Sequence, residues 1–394
     1  MTRTFKLIMI IAMIAFVAGC RWRKQEKELL DSKIEVDVAS VKAVVSLSDL
    51  VADTEYIFLE TGSHFLVGGI SKIIHRNNCF YILDGSSLQI LVFRETGEFL
   101  YSINKPGRGP GEYLYINAFD VTRSGDVLIF DSMNSKLFVY SEGATRQEEF
   151  KLEHYFYEMA ESGVDGQLLI RNQIREGNLL NSFAHYSYKT GELSPAAIQN
   201  PYINEFFNLP FIGVSQIFRS GDRLLFHNRF TGEIYESHEG VFSLFMRVKG
   251  EFPSTENLAE QQRSQRLVMP DWIIYELYNI FCTEHYVFFR FVNGVFHQTI
   301  VASTKTGKAL RIADPSPSGE SGTGFFGENR VMGATRDRFF TILNISNTYN
   351  FDDWQEKVAS SGLDSEMTGK LLSLTTDDNP VIITFKLNPD RFIN

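Results

Sequence analysis

Apolar and polar positions between residues 75 and 145 follow one pattern that occurs twice. Cys79-Phe80-Tyr81-Ile82-Leu83-Asp84 is followed by five loosely polar residues and then by Ile90-Leu91-Val92-Phe93. Val127-Leu128-Ile129-Phe130-Asp131, five more such residues and Leu137-Phe138-Val139-Tyr140 repeat it. Asp84 and Asp131 stand 47 positions apart, as do Phe93 and Tyr140, with no gap needed. Short apolar runs bounded by turn residues predict strands. A fixed period of about 40–50 residues, each holding several strands, predicts the blades of a β-propeller.

The same phrase recurs with weaker spelling at Gly166-Gln167-Leu168-Leu169-Ile170, Gly221-Asp222-Arg223-Leu224-Leu225-Phe226, Tyr286-Val287-Phe288-Phe289-Arg290-Phe291 and Arg338-Phe339-Phe340-Thr341-Ile342-Leu343. Turns such as Thr96-Gly97-Glu98 and Thr190-Gly191-Glu192 punctuate it, with Gly supplying positive φ. Six copies predict an all-β, six-bladed β-propeller with short helical insertions. Two segments lack a blade of their own, Thr54–Glu60 and Pro380–Leu387. They are expected to share one sheet, the N-terminal strand closing the ring with the C-terminal blade and removing free edges.

Two stretches break the period, near residues 254–281 and 349–376. In the first, Asn257–Leu267 is polar, Pro270 suits a helix start, and Ile273, Leu277 and Ile280 fall at i, i+4 and i+7. That spacing predicts a helix with one apolar stripe. The second carries Trp354 and a predicted helix from Ser365 to Leu374. Asp314 to Gly327 reads as a Gly/Ser/Pro loop.

The first 19 residues read as a signal peptide: Arg3 and Lys6 precede the apolar run Leu7–Val17. The run ends in Val17-Ala18-Gly19-Cys20, a lipobox, so Cys20 is the expected lipidation site and membrane anchor. Residues 20–45 then form a lipidated tether and 46–394 the propeller. Formal net charge is −10, with basic residues clustered only at Arg21, Arg23, Lys24 and Lys27, which argues against a nucleic-acid partner. Cys79 and Cys282 lie beside apolar runs far apart in the repeat and are expected to be free thiols. No CxxC, HExxH or cysteine–histidine spacing suggests a zinc site.

Lys105-Pro106-Gly107-Arg108-Gly109-Pro110-Gly111-Glu112-Tyr113, with Phe119-Asp120-Val121, Gly125-Asp126-Val127, Asp131, Asn134 and Lys136–Tyr140, resembles an NHL repeat. Lys136 stands where such repeats more usually have Arg, and Tyr113 where they have Phe. Together with the lipobox and the terminal strand, residues 45–390 resemble the six-bladed β-propeller lipoproteins of Bacteroidetes. The resemblance implies the fold and an outer-membrane, periplasmic or surface-facing location. It also implies that Asp84 and Asp131 bond backbone amides of the turn that follows.

No catalytic constellation assembles from spacing. The Gly107–Gly111 loop lacks the Lys-Ser/Thr of a phosphate-binding loop and has Pro110, which offers no N–H. No Ser-x-Asp-x-Gly-x-Thr-Trp box of the sialidases is present. A calcium ion of the kind lactonases hold in the channel takes ligands from separate blades, so spacing is silent on it; no other cofactor is expected. The expected function is a membrane-anchored, extracytoplasmic binding or scaffolding module for a glycan, peptide or envelope protein. Its site would lie at the channel mouth, near Arg108, Glu112, Trp272, Tyr275 and Tyr278. The alternative is a carbohydrate-active hydrolase, lactonase or lyase using His75, His185, His227, His285 or His297 in the central channel.

Overall fold

In the computed structural model the two copies of the 47-residue phrase are neighbouring four-stranded sheets. The structure describes residues 34–392, apart from 155, 177–178, 196–197, 199–214, 265–269, 295, 314–330, 344–350 and 360. The signal peptide, Cys20 and the 314–327 loop therefore lie outside the described residues.

Blade I consists of Ile70–Arg76, Cys79–Asp84, Gln89–Arg94 and Phe99–Ile103. Blade II consists of Ala118–Val121, Val127–Asp131, Lys136–Tyr140 and Gln147–Lys151, and blade III of Glu158–Glu161, Gln167–Glu176, Leu179–Ser187 and Leu193–Pro195. Blade IV holds Ile217–Ser220, Arg223–His227, Glu233–His238 and Val241–Lys249. Blade V holds Ile274–Cys282, Tyr286–Asn293, Phe296–Ser303 and Ala309–Ile312. Blade VI is built from Gly333–Ala334, Phe339–Leu343 and Val381–Leu387, completed on its outer edge by Val51–Phe58. The ring is a six-bladed β-propeller in which the N-terminal strand closes the C-terminal sheet, Ile57 opposite Ile382 and Glu55 opposite Thr384.

Closure begins further upstream than the pattern predicts. Residues 34–45, expected as the end of the tether, enter the sheets instead. Ile34–Asp37 pairs in parallel with Val241–Lys249 on blade IV, and Val44–Val45 with the outer strand of blade V. Ile34 and Val36 are buried while Glu35 and Asp37 are exposed, a clean two-residue alternation that is too short to stand out in a sequence. The chain thus covers the outer edges of blades IV and V before it closes blade VI.

The helical reading of Ile273–Ile280 is also corrected. A helix does occur at Thr255–Ser264, but Ile274–Cys282 is the innermost strand of blade V. This strand is buried on both faces, and register shifts between Ile274 and Glu276 and between Tyr278 and Phe281 break its alternation. A doubly buried, bulged strand loses the two-residue period, and its apolar positions then coincide with a helical spacing. In the second excursion the helices are Phe351–Ala359 and Ser365–Leu372. Asp364 caps the latter by accepting from Met367 N–H at 2.8 Å. No described helix is long and apolar enough to cross a membrane.

Six apolar clusters among the described residues lie between adjacent blades and hold the ring together. That between blades I and II packs Tyr81, Val92 and Tyr113 against Phe119, Ile129 and Phe138. Asp84 and Asp131 staple blade entry to the turn. Asp84 accepts from the Gly68 and Gly69 amides and from Ser86 and Ser87, Asp131 from Leu114, Met133 and Asn134. Burial alone would raise the Asp84 pKa, but these donors outweigh it and hold the carboxyl below the usual range. At Gly97 the Thr-Gly-Glu turn runs against the closing strand. Its φ is +92°, and a Cβ there would lie 2.0 Å from the Phe58 carbonyl oxygen, so only glycine fits.

Candidate functional site

The innermost strands of the blades carry isolated charges into the channel: Arg76, Asp120, Glu161, Arg219 and Glu276 are all buried. Arg219 of blade IV grips Asp120 of blade II through two bonds, Nε to Oδ1 at 2.7 Å and Nη2 to Oδ2 at 2.6 Å. It also donates to the Glu161 carbonyl of blade III at 2.7 Å. Arg76 of blade I pairs with the Glu161 carboxylate at 3.1 Å and donates to the Val121 carbonyl. Four blades are tied by this knot. Burial would raise the Asp120 pKa, yet the adjacent Arg219 guanidinium holds the carboxyl below its ordinary range.

A second cluster lies beside it. Glu276 meets Arg229 at 3.1 Å and the Gln216 amide at 3.4 Å, while Glu158 meets Arg171 at 2.7 Å. Burial pushes Glu276 up, against the pull of Arg229. His227, fully buried nearby, has Nδ1 3.2 Å from the Glu233 carbonyl and is pushed down to about 3 by burial. Its unfolded counterpart protonates near 6.5, so as pH falls from about 6.5 towards 3 the unfolded chain takes up a proton that the folded chain refuses. Stability therefore falls with pH in that window. Between pH 7 and 5 the wild type is expected to lose about 2 kcal/mol more than His227→Leu in urea denaturation; equal losses would mean that the folded state accommodates the imidazolium.

Above these clusters the channel opens into a cavity of about 510 Å³. Blade I contributes Ser71, Lys72, Ile73 and Ile74, and blade IV Ser215, Ile217, Phe218 and Arg219. Blade V contributes Tyr278, Asn279, Phe281, Arg290 and His297, and Val331 and Met332 complete the wall ahead of blade VI. In blades I and IV these residues include the start of the innermost strand, and in blade V they fall in its second half. The second register shift of blade V lies at this wall, and Asn279 takes φ +49° there, a conformation asparagine tolerates better than most residues. The Tyr278 hydroxyl lies 2.5 Å from His297 Nδ1, and the Arg290 guanidinium sits 5.3 Å from the centre of the Tyr278 ring. Lys72 donates to the Phe119 carbonyl at 2.9 Å, and burial pushes its ammonium below the usual lysine range.

Of the residues singled out by sequence, Tyr278 lines this cavity. Trp272 is 67 % exposed just ahead of the innermost strand of blade V and is not part of the wall. Tyr275 is fully buried, its ring edge-on to Phe230, and so presents no surface to a ligand. Arg108 is exposed, whereas Glu112 folds back to accept from Gly109 N–H at 2.7 Å, closing its own loop. Neither touches the cavity wall. Of the five histidines considered, only His297 lines the cavity; His75 pairs with Glu95 and His185 stacks on Phe242. Cys79 and Cys282 are free, and burial pushes the Cys282 thiol up to about 11. Among the described residues no group of three or more His, Cys, Asp or Glu side chains could hold a metal ion.

Sequence reasoning missed Lys72, Arg219, Asn279 and Arg290. A signal for two of them was present. Ile217-Phe218-Arg219-Ser220 and Phe288-Phe289-Arg290-Phe291 each set one arginine in an otherwise apolar strand, where a charge needs a buried partner or a cavity.

Residues 32–386 match a family described as Domain of unknown function (DUF4934). The fold resembles the crystal structure of a "Putative exported protein" from Bacteroides fragilis NCTC 9343, with a TM-score of 0.67 and 17 % identity, over 90 % of this chain and 99 % of that one. It also resembles a member of the DUF4221 family from Bacteroides vulgatus ATCC 8482, with a TM-score of 0.52 and 12 % identity, over 86 % of this chain and 98 % of the other. At such identities the likeness concerns the fold. No curated protein matches the chain significantly in sequence.

Proposed function

The chain belongs to the DUF4934 family, and we propose that it is an extracytoplasmic binding propeller whose ligand enters the channel cavity. In this reading Cys20 carries the lipid that anchors the protein to the outer membrane, and the NHL-like repeats supply a rigid ring around the site. The exported description of the Bacteroides fragilis protein is compatible with that location. The observation that carries the reading is the cavity: about 510 Å³, with apolar side chains and converging polar and cationic groups sharing its wall. Ligand sites commonly have this size and character.

The test uses the mature, detergent-purified protein on panels of glycans and peptides. Ligands that bind are expected to lose affinity about tenfold or more in Ser71→Trp, which places an indole at the cavity wall, while the denaturation midpoint stays within about 0.5 kcal/mol of wild type. Binding indifferent to Ser71→Trp would place the site elsewhere.

One observation favours a second reading. Tyr278 and His297 form a hydrogen-bonded pair beside Arg290, an arrangement able to remove a proton next to a carboxylate that a cation neutralises. Turnover of a uronate polymer, lost in His297→Gln, would replace the binding reading with a lyase.

A further inference from the structure

We propose that the channel cavity selects a small anionic ligand, bearing a carboxylate, sulfate or phosphate group, and that Arg290 is the group that grips it. This rests on the cavity being the binding site.

Arg290 is half-buried, with its Nε out of water, and it differs in its partners from the buried arginines and from half-buried Arg223. Arg76, Arg171, Arg219, Arg223, Arg229 and Arg338 each reach a carboxylate within ion-pair distance. Arg290 reaches none among the described residues; its Nε is buried without a hydrogen-bond partner, and its guanidinium rests on the face of Tyr278. Removing a cation from water without an anion is costly, and folding normally supplies the partner. Here the missing partner faces a cavity. A guanidinium fork matches carboxylate, sulfate and phosphate oxygens in pairs, which makes it a specific as well as a strong contact.

The remaining wall agrees. Lys72 and Arg219 also line the cavity, and among the described residues no Asp or Glu does. The nearest carboxylates lie behind the wall and are engaged, Asp120 with Arg219 and Glu158 with Arg171. The chain as a whole carries −10, so a wall on which Lys72 and Arg290 have no ion-paired carboxylate among the described residues is a local inversion of its charge. Such a wall concentrates anions in the channel against the field of the surface.

The experiment compares four probes by calorimetry on the mature protein at constant ionic strength: digalacturonate, its dimethyl ester, a sulfated galactose disaccharide and a sugar phosphate. At least one anionic probe is expected to bind, with the ester about tenfold weaker or worse than digalacturonate if the carboxylate is preferred. Arg290→Gln should remove about tenfold of that affinity, and Arg290→Lys should restore part of it. In the unliganded protein Arg290→Met is expected to leave the denaturation midpoint unchanged or higher, which a purely structural arginine would not do. Binding of the ester as tightly as the acid, or no binding by any anionic probe, overturns the anion inference. In the first case sensitivity to Ser71→Trp would leave the channel reading intact. Anion binding indifferent to both Arg290→Gln and Ser71→Trp would sink the two together.

Discussion

Replacing Arg219 by Met is expected to destabilise the propeller by about 3–5 kcal/mol, because it strands the buried Asp120 carboxylate. Asp120 is 1 % exposed and receives two of its hydrogen bonds from Arg219; what remains is the Glu161 amide at 2.7 Å. The same change frees the Glu161 carbonyl and loosens the junction at which Arg76 meets Glu161. Four blades share this junction, so the loss should appear as a lower urea midpoint for the whole ring. The double variant Arg219→Met/Asp120→Leu removes both charges and is expected to recover much of the loss, since an apolar pair of similar size often replaces a buried ion pair without penalty. A wild-type midpoint for Arg219→Met alone would mean that the knot contributes nothing to stability.

Asn379→Ala is expected to cost about 3 kcal/mol or more by loosening the seam where the ring closes. The Asn379 side chain, 4 % exposed, accepts from Val67 N–H at 2.8 Å and donates to the carbonyls of Glu60 at 2.7 Å and Phe65 at 2.9 Å. It thus ties the last blade to the chain leading from the closing strand into blade I. Alanine leaves these backbone groups without that partner, and a buried orphan costs about 1–3 kcal/mol. Asn379→Asp keeps the acceptor but sets a buried carboxylate oxygen against the Glu60 and Phe65 carbonyls, so it should cost at least as much as alanine. Limited proteolysis should first report the damage between residues 60 and 67; an uncut loop and an unchanged midpoint would show that ring closure does not depend on this residue.

The blades were legible in the chain because a repeat enforces itself. Asp84 and Asp131 do the same job 47 residues apart, and each blade must bury an apolar face against the next, so the phrase recurs wherever a blade does. The closing strand was legible for a related reason: Thr54–Glu60 had no blade of its own, and a propeller cannot leave that edge open. Ile34–Asp37 carried too few residues to declare a period, and Ile274–Cys282 was disguised by burial on both faces and by its bulges.

The site was less legible than the fold. Tyr278 and His297 could be named as candidates, but Arg290 and Lys72 could not be distinguished from other basic residues until their surroundings were known. Local pattern and period follow from forces between near neighbours and from a face that must be buried, so the linear order of residues carries them. Whether a charge is answered depends on which blades meet across the channel. Arg219 finds Asp120 from 99 residues away, while Arg290, embedded in an equally apolar strand, meets an aromatic face and a cavity and no carboxylate among the described residues. That distinction arises where six separate blades converge on one axis, and no stretch of the chain contains it.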